Sequence, residues 1–180
     1  MSTVSLTQRL QQVARELSKM AQAINDEQLS QLAEAINRTP RVFLSGQGRS
    51  RLMVKAIAIR LMHIGLAVYV AGESNTPAIA AGDLLIAVSS SAKTPVTLSH
   101  IAAARQAGAA VALISSSPTP ALQVDHYVSL PARKEVATDQ HAGSLFEQSL
   151  LITGDAIAWK IQHRRAQTDA ELDKRHANLQ

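Results

Sequence analysis

The chain has 180 residues, 46% of them hydrophobic but only 3% aromatic, so its interior must be built from Ala, Val, Leu and Ile, and little is left for base stacking. It contains no cysteine, which excludes disulfides and thiolate metal sites. The net charge of +4 and a pI near 9.8 invite nucleic acid as a partner, but the basic residues are scattered or sit in a helical stretch around Lys160, Arg164 and Arg165, and a modest positive balance also suits an anionic small molecule.

The N-terminal Met1-Ser2-Thr3-Val4 lacks the basic flank and apolar run of a signal peptide, and no apolar stretch reaches the length of a membrane span, so a cytoplasmic setting is expected. Leu6, Leu10, Val13, Leu17, Met20 and Ile24 follow in alternating steps of four and three, a helical stripe of coiled-coil type. Such a stripe needs a partner, either the rest of the domain or another subunit. Leu29, Leu32 and Ile36 predict a second helix with Asp26 near its start, stopped by Thr39-Pro40.

Past Pro40 the pattern becomes short apolar runs separated by helical stretches. Val42–Leu44, Ala67–Val70, Leu84–Val88, Ala110–Ile114 and Tyr127–Leu130 predict five strands; Arg51–Ile64, Pro95–Gln106 and Ser144–Gln162 predict helices. Runs that are apolar throughout mark strands covered on both faces. The expectation is a single α/β domain: a doubly wound, five-stranded parallel sheet flanked by helices, behind an N-terminal helical pair. Such sheets bind ligands beyond the carboxyl ends of their strands, which directs attention to the loops after Leu44, Val70, Val88 and Ile114.

The first of these loops, Ser45-Gly46-Gln47-Gly48-Arg49-Ser50, leads from strand to helix. Glycines let the backbone approach a ligand, and free helix N–H groups favour an anion. A tight turn with a serine cap is the plain alternative. Next, Ser89-Ser90-Ser91-Ala92-Lys93-Thr94-Pro95 sets four hydroxyls and a Lys before a helix that Pro95 would open, with Thr94 placed to cap it. Two hydroxyl-rich loops on neighbouring strand ends point to phosphate binding, and Ser115-Ser116-Ser117-Pro118 extends the polar rim. By pattern alone, Ser144-Leu145-Phe146-Glu147 is a capping box. His63, in a last helical turn, reads as a group that complements the helix dipole, and Glu73 as a solvated loop acid. The six His residues show no metal-ligand spacing.

Together these loops resemble the sugar isomerase (SIS) family of phosphosugar-binding domains, and within it the 6-phospho-3-hexuloisomerases. Gly46-Gln47-Gly48-Arg49-Ser50 is similar to that family's Gly-Ala-Gly-Arg-Ser loop. Arg60-Leu61-Met62-His63, Gly72-Glu73-x-x-Thr76-Pro77, Gly143-Ser144-Leu145-Phe146-Glu147-Gln148 and the tail His176-Ala177-Asn178-Leu179 also resemble its motifs. The resemblance covers essentially the whole chain. It departs at Ser89–Thr94, where the family reads Ser-Gly-Ser-Gly-Glu-Thr. Both glycines are replaced, an expectation of a changed loop path because non-glycine residues resist positive φ. Lys93 stands in place of an acid, which either tightens phosphate binding or disturbs a catalytic arrangement.

The resemblance implies interconversion of 3-hexulose 6-phosphate and fructose 6-phosphate through a cis-enediol, with no redox cofactor and no metal. Glu147 would be the base, reversing the capping reading, and His63 would assist ring opening or proton transfer between oxygens. Ser45, Ser50, Ser89, Ser91 and Thr94 would hold the phosphate, with Gly46, Gly48, Arg49, Glu73 and Lys93 completing the site. A homotetramer or homodimer, with active sites near subunit interfaces, is implied as well. The alternatives are a non-catalytic, regulatory phosphosugar-binding module, or an isomerase for another sugar phosphate. Nucleic-acid binding rests on pI alone.

Overall fold

The computed structural model describes residues 4–117 and 122–179, so Met1 to Thr3 and Pro118 lie outside it. In chain order the elements are α1 (Leu6–Ala23), α2 (Asp26–Arg38), β1 (Arg41–Ser45), α3 (Gly48–His63), β2 (Ala67–Val70), β3 (Leu84–Val88), α4 (Pro95–Gln106), β4 (Ala110–Ser115), β5 (His126–Ser129), α5 (Ser144–Arg164) and α6 (Asp169–Asp173).

All strand pairs are parallel, in the order β2-β1-β3-β4-β5. The central strand β3 is buried at every position, whereas the edge strands β2 and β5 are partly exposed. That burial on both faces is why the strands read as unbroken apolar runs. Alternate residues divide between two apolar layers. Val42, Leu44, Leu84, Ile86 and Val88 pack with Met20, Leu32, Ile57 and Leu150, so α1, α2, α3 and α5 share one face. Phe43, Leu85, Ala87, Val111 and Leu113 pack with Ile101 and Ala104 of α4 on the other. The β2–β3 connection, residues 71–83, carries no helix, which leaves α4 the one long helix described on its face.

The stripe on α1 divides. Met20 is fully buried and Leu17 and Ile24 pack beside it, whereas Leu6 and Leu10 stay exposed. The helix opens on a capping box, Ser5 with Gln8, that sets its start. Helix α3 begins three residues earlier than its apolar pattern indicated, with Gln47 as N-cap and no side-chain cap, so the serine-cap reading of Ser50 is not realised. The last strand ends one residue earlier, at Ser129, although Leu130 is still fully buried. Helix α6 was not foreseen; it opens on Thr168 and Glu171, which form a second capping box.

Below the sheet's carboxyl edge, Arg41 at the start of β1 donates two hydrogen bonds to Asp83, of 2.9 and 2.6 Å, and Asp83 also accepts from the Ala80 N–H. This ion pair pins the β2–β3 loop to the base of β3. The turn of direction between β1 and β3 then leaves a crevice over their carboxyl ends.

Candidate active site

A cavity of about 590 Å³ occupies that crevice. Its walls come from the loops after β1 (Gln47, Ser50), β3 (Ser89, Ser90, Ser91, Lys93, Thr94) and β4 (Ser116, Ser117), and from residues 132–134 and 142–143 between β5 and α5. The charged lining residues are Lys93, Arg133 and Lys134, with no carboxylate among them. A concave wall of hydroxyls and cations recruits an anion such as a phosphate.

The hydroxyls hold one another in place. Ser89 Oγ lies 2.9 Å from Thr94 Oγ1, Ser90 Oγ 3.0 Å from Ser116 Oγ, and the Lys93 N–H donates to Ser91 Oγ at 3.2 Å. Thr94 is the N-cap of α4 and Pro95 its first residue, but Thr94 makes no side-chain cap bond because its hydroxyl faces Ser89. Ala92 adopts φ +54 and Ser90 does not share a left-handed conformation. Thus at Ala92 the turn is made despite a Cβ, with the strain such a backbone carries. Arg133 and Ala142, both in the cavity wall, are likewise left-handed at φ +62 and +48.

Glu147 does not cap its helix. Gly143 is the N-cap, Ser144 is the first helical residue, and the Ser144 hydroxyl donates to the His141 carbonyl at 2.8 Å. The carboxylate instead receives Arg49 Nε on Oε2 at 2.6 Å, joining the starts of α3 and α5. Its Oε1 lies 3.3 Å from where a Cβ on Gly143 would stand. The glycine therefore gives the carboxylate room against the cavity wall.

Other residues singled out in the sequence take different places. Ser45 is 1% exposed; its hydroxyl lies 2.8 Å from His100 Nδ1 on α4, and it does not line the cavity. His100 carries no motif that flags it. Burial, with the Arg51 charge second, lowers its pKa. Gly46 is needed for space, since a Cβ there would stand 3.0 Å from Val54, and Gly48 for its φ of +58. Glu73 is not merely solvated: it pairs with Arg51 at 2.9 Å and Lys55 at 2.8 Å, bonds to Lys55 first and Arg51 second that hold its carboxyl below the usual range. It lies outside the cavity wall.

His63 closes α3 at the end opposite Gly48, about 22 Å along the axis at 1.5 Å per residue. Its ring is buried and stacks on His176 with centroids 4.8 Å apart, while Arg175 donates to the His63 carbonyl at 3.0 Å. Burial, then the His176 and Arg60 charges, lower its pKa. Among the described residues no three His, Asp or Glu gather as a metal site, and no helix is long and apolar enough to cross a membrane.

No protein-family model matches the chain. The 3-hexulose-6-phosphate isomerase of Mycobacterium gastri is 38% identical, over 97% of this chain and 92% of the relative. That of Bacillus subtilis is 34% identical over 97% and 98%. Among solved structures, a Methanococcus jannaschii protein whose structure infers the same function superposes with a TM-score of 0.85 at 29% identity, covering 96% and 99% of the two chains. Identity at this level along nearly the full length, on the same fold, settles kinship: the chain belongs to the 3-hexulose-6-phosphate isomerases, sugar-phosphate isomerases of the SIS fold.

Proposed function

We propose that the chain interconverts 3-hexulose 6-phosphate and fructose 6-phosphate, with Glu147 as the base. The observation that carries this reading is the Glu147 carboxylate, held by Arg49 at 2.6 Å beside a cavity of hydroxyls and cations. In this scheme Ser50, Ser89, Ser91, Thr94 and Lys93 hold the phosphate, and its binding energy orients the reacting carbons. With Oε2 engaged by Arg49, Oε1 takes the proton from C2. The electrons form the C2–C3 enediol as O3 gains a proton. O2 then loses its proton, the double bond returns to C2=O, and Glu147 delivers its proton to C3.

Ser45 supports this site indirectly, because it is buried against His100 and does not line the cavity. His63 lies too far from its own chain's cavity to touch the same substrate, so a role in the chemistry requires a second copy. Leu52 and Ile59 on the outer face of α3 and Ile152 and Trp159 on that of α5 are all exposed, which supports a homodimer or homotetramer built partly on that layer. A phosphorylated substrate fits a cytoplasmic location.

The test is conversion of 3-hexulose 6-phosphate to fructose 6-phosphate by the wild type and by Glu147→Gln. A positioned base contributes about 10²–10⁴-fold, so kcat should fall by that factor with phosphate binding retained. A variant as active as the wild type would remove Glu147 from the mechanism. A second reading, a phosphosugar sensor, is favoured by Lys93 in a cavity without a lining carboxylate. It predicts ligand-induced stabilisation of the wild type without turnover.

A further inference from the structure

We propose that Glu16, on α1 and outside the cavity, is a positioning residue for the isomerase, and this rests on the isomerase reading above. Its carboxylate fixes the loop 131–143 and the first turn of α5, and through them the orientation of Glu147.

Glu16 is 7% exposed, and no ion pair neutralises it among the described residues. Its Oε2 accepts two hydrogen bonds, from Thr138 Oγ1 and from Gln140 Nε2, each at 2.7 Å. Gln140 is 5% exposed, and its backbone N–H donates to Thr138 Oγ1 at 3.0 Å. Its side-chain amide then pairs reciprocally with that of Gln148, with Nε2 to Oε1 distances of 3.1 and 3.0 Å. Gln148 is the residue after Glu147 and sits in the same helical turn.

A carboxylate only accepts hydrogen bonds, whereas an amide both donates and accepts. Glu16 therefore dictates which end of the Gln140 amide faces it, and that orientation dictates how Gln148 must face Gln140. An apolar residue at position 16 would impose no such polarity. Burying a carboxylate with no cation in ion-pair range is costly, Arg9 acting on it only at longer range, so the network is a poor device for stability alone.

The loop it holds needs holding. Arg133 and Ala142 take left-handed conformations that side chains resist, and Arg133 is drawn into the loop by bonding the carbonyls of Gln140 and Ala142. Five of this segment's residues line the cavity, among them Gly143, whose missing Cβ leaves room for Glu147 Oε1. Outside, Asp139 is fastened to α1 by Arg9 at 2.6 Å and Gln12 at 3.2 Å. Helix α1 thus grips the loop twice, once at the surface and once through a buried amide pair that reaches the catalytic turn.

Misplacing a reacting group by about 1 Å can cost roughly 100-fold in rate. Glu16→Leu should lower kcat about 10–100-fold with KM changed far less, measured well below the variant's melting temperature. Glu16→Gln, which can turn its amide oxygen to Gln140, should recover most of the rate. Gln148→Leu should reproduce the loss, and the double variant should be no worse than either single one. A Glu16→Leu enzyme within twofold of wild-type kcat would overturn the proposal, as would a Glu16→Gln enzyme no better than Glu16→Leu. If the wild type itself does not turn over 3-hexulose 6-phosphate, it is the isomerase reading that fails. Amide exchange with fructose 6-phosphate as probe then decides: faster exchange confined to residues 132–148 in Glu16→Leu supports the positioning role, and unchanged protection refutes it.

Discussion

Replacing Gly154 by Ala puts a methyl group where α5 comes closest to α3. An ideal Cβ there would lie 2.4 Å from Ile57 Cγ1 and 2.6 Å from its Cδ1, against about 3.5–4 Å for comfortable carbon contacts. Ile57 is only 6% exposed and packed in the main core, so relieving the clash means shifting buried side chains or the helices themselves. Overpacking of this depth costs roughly 2–3 kcal/mol, while Ala in a helix interior recovers about 1 kcal/mol relative to Gly. The net loss is then about 1–2 kcal/mol, or roughly 2–8 °C in melting temperature for a domain of this size. The helices whose first turns carry Arg49 and Glu147 are pushed apart, so kcat should fall with stability. Calorimetry and the isomerase assay on the same preparation read both. Adding Ile57→Ala removes the offending atoms, so the double variant should be more stable than the sum of the two single losses. A Gly154→Ala protein as stable as the wild type, or more so, would refute the close approach and the argument built on it.

Asp83→Asn should lower the urea midpoint, because it removes the buried carboxylate that holds Arg41 and the Ala80 N–H and so loosens the β2–β3 loop; urea unfolding measures it. Lys93→Ala removes a cation from the cavity and should raise KM several-fold with little change in kcat, an effect that shrinks as salt is added. His63 and His100 both have pKa values lowered in the fold, mainly by burial, so the unfolded chain binds more protons than the native one. Stability should therefore be fully present above about pH 6.5, the unfolded-state value, and decline as pH falls below it. Melting curves from pH 7.5 to 5.5 test this, and His63→Gln should show a shallower decline over that range.

The candidate site was partly legible because its loops are local. A Gly-rich turn after an apolar run and serines before Pro95 declare themselves in a few consecutive residues, and both line one cavity. What local pattern does not carry is direction and partners. Ser144 and Glu147 have capping-box spacing, yet Glu147 faces Arg49, 98 positions away. Ser45 belongs to the loop motif but turns to the α4 face because strand residues alternate sides. Ala92 keeps a glycine-like conformation, which its identity argued against.

The parallel sheet was legible in the unbroken apolar runs, since residues covered on both faces must be apolar without alternation, and so were the polar loops that interrupt them. It takes packing to bring Glu16 on α1 to Gln140, 124 positions on, to add Arg133 and Lys134 to the cavity, and to set His63 at the far pole of α3. Periodicity records how much water each position sees. It does not record which distant group replaces that water, and that choice is made only when helices and loops pack against one another.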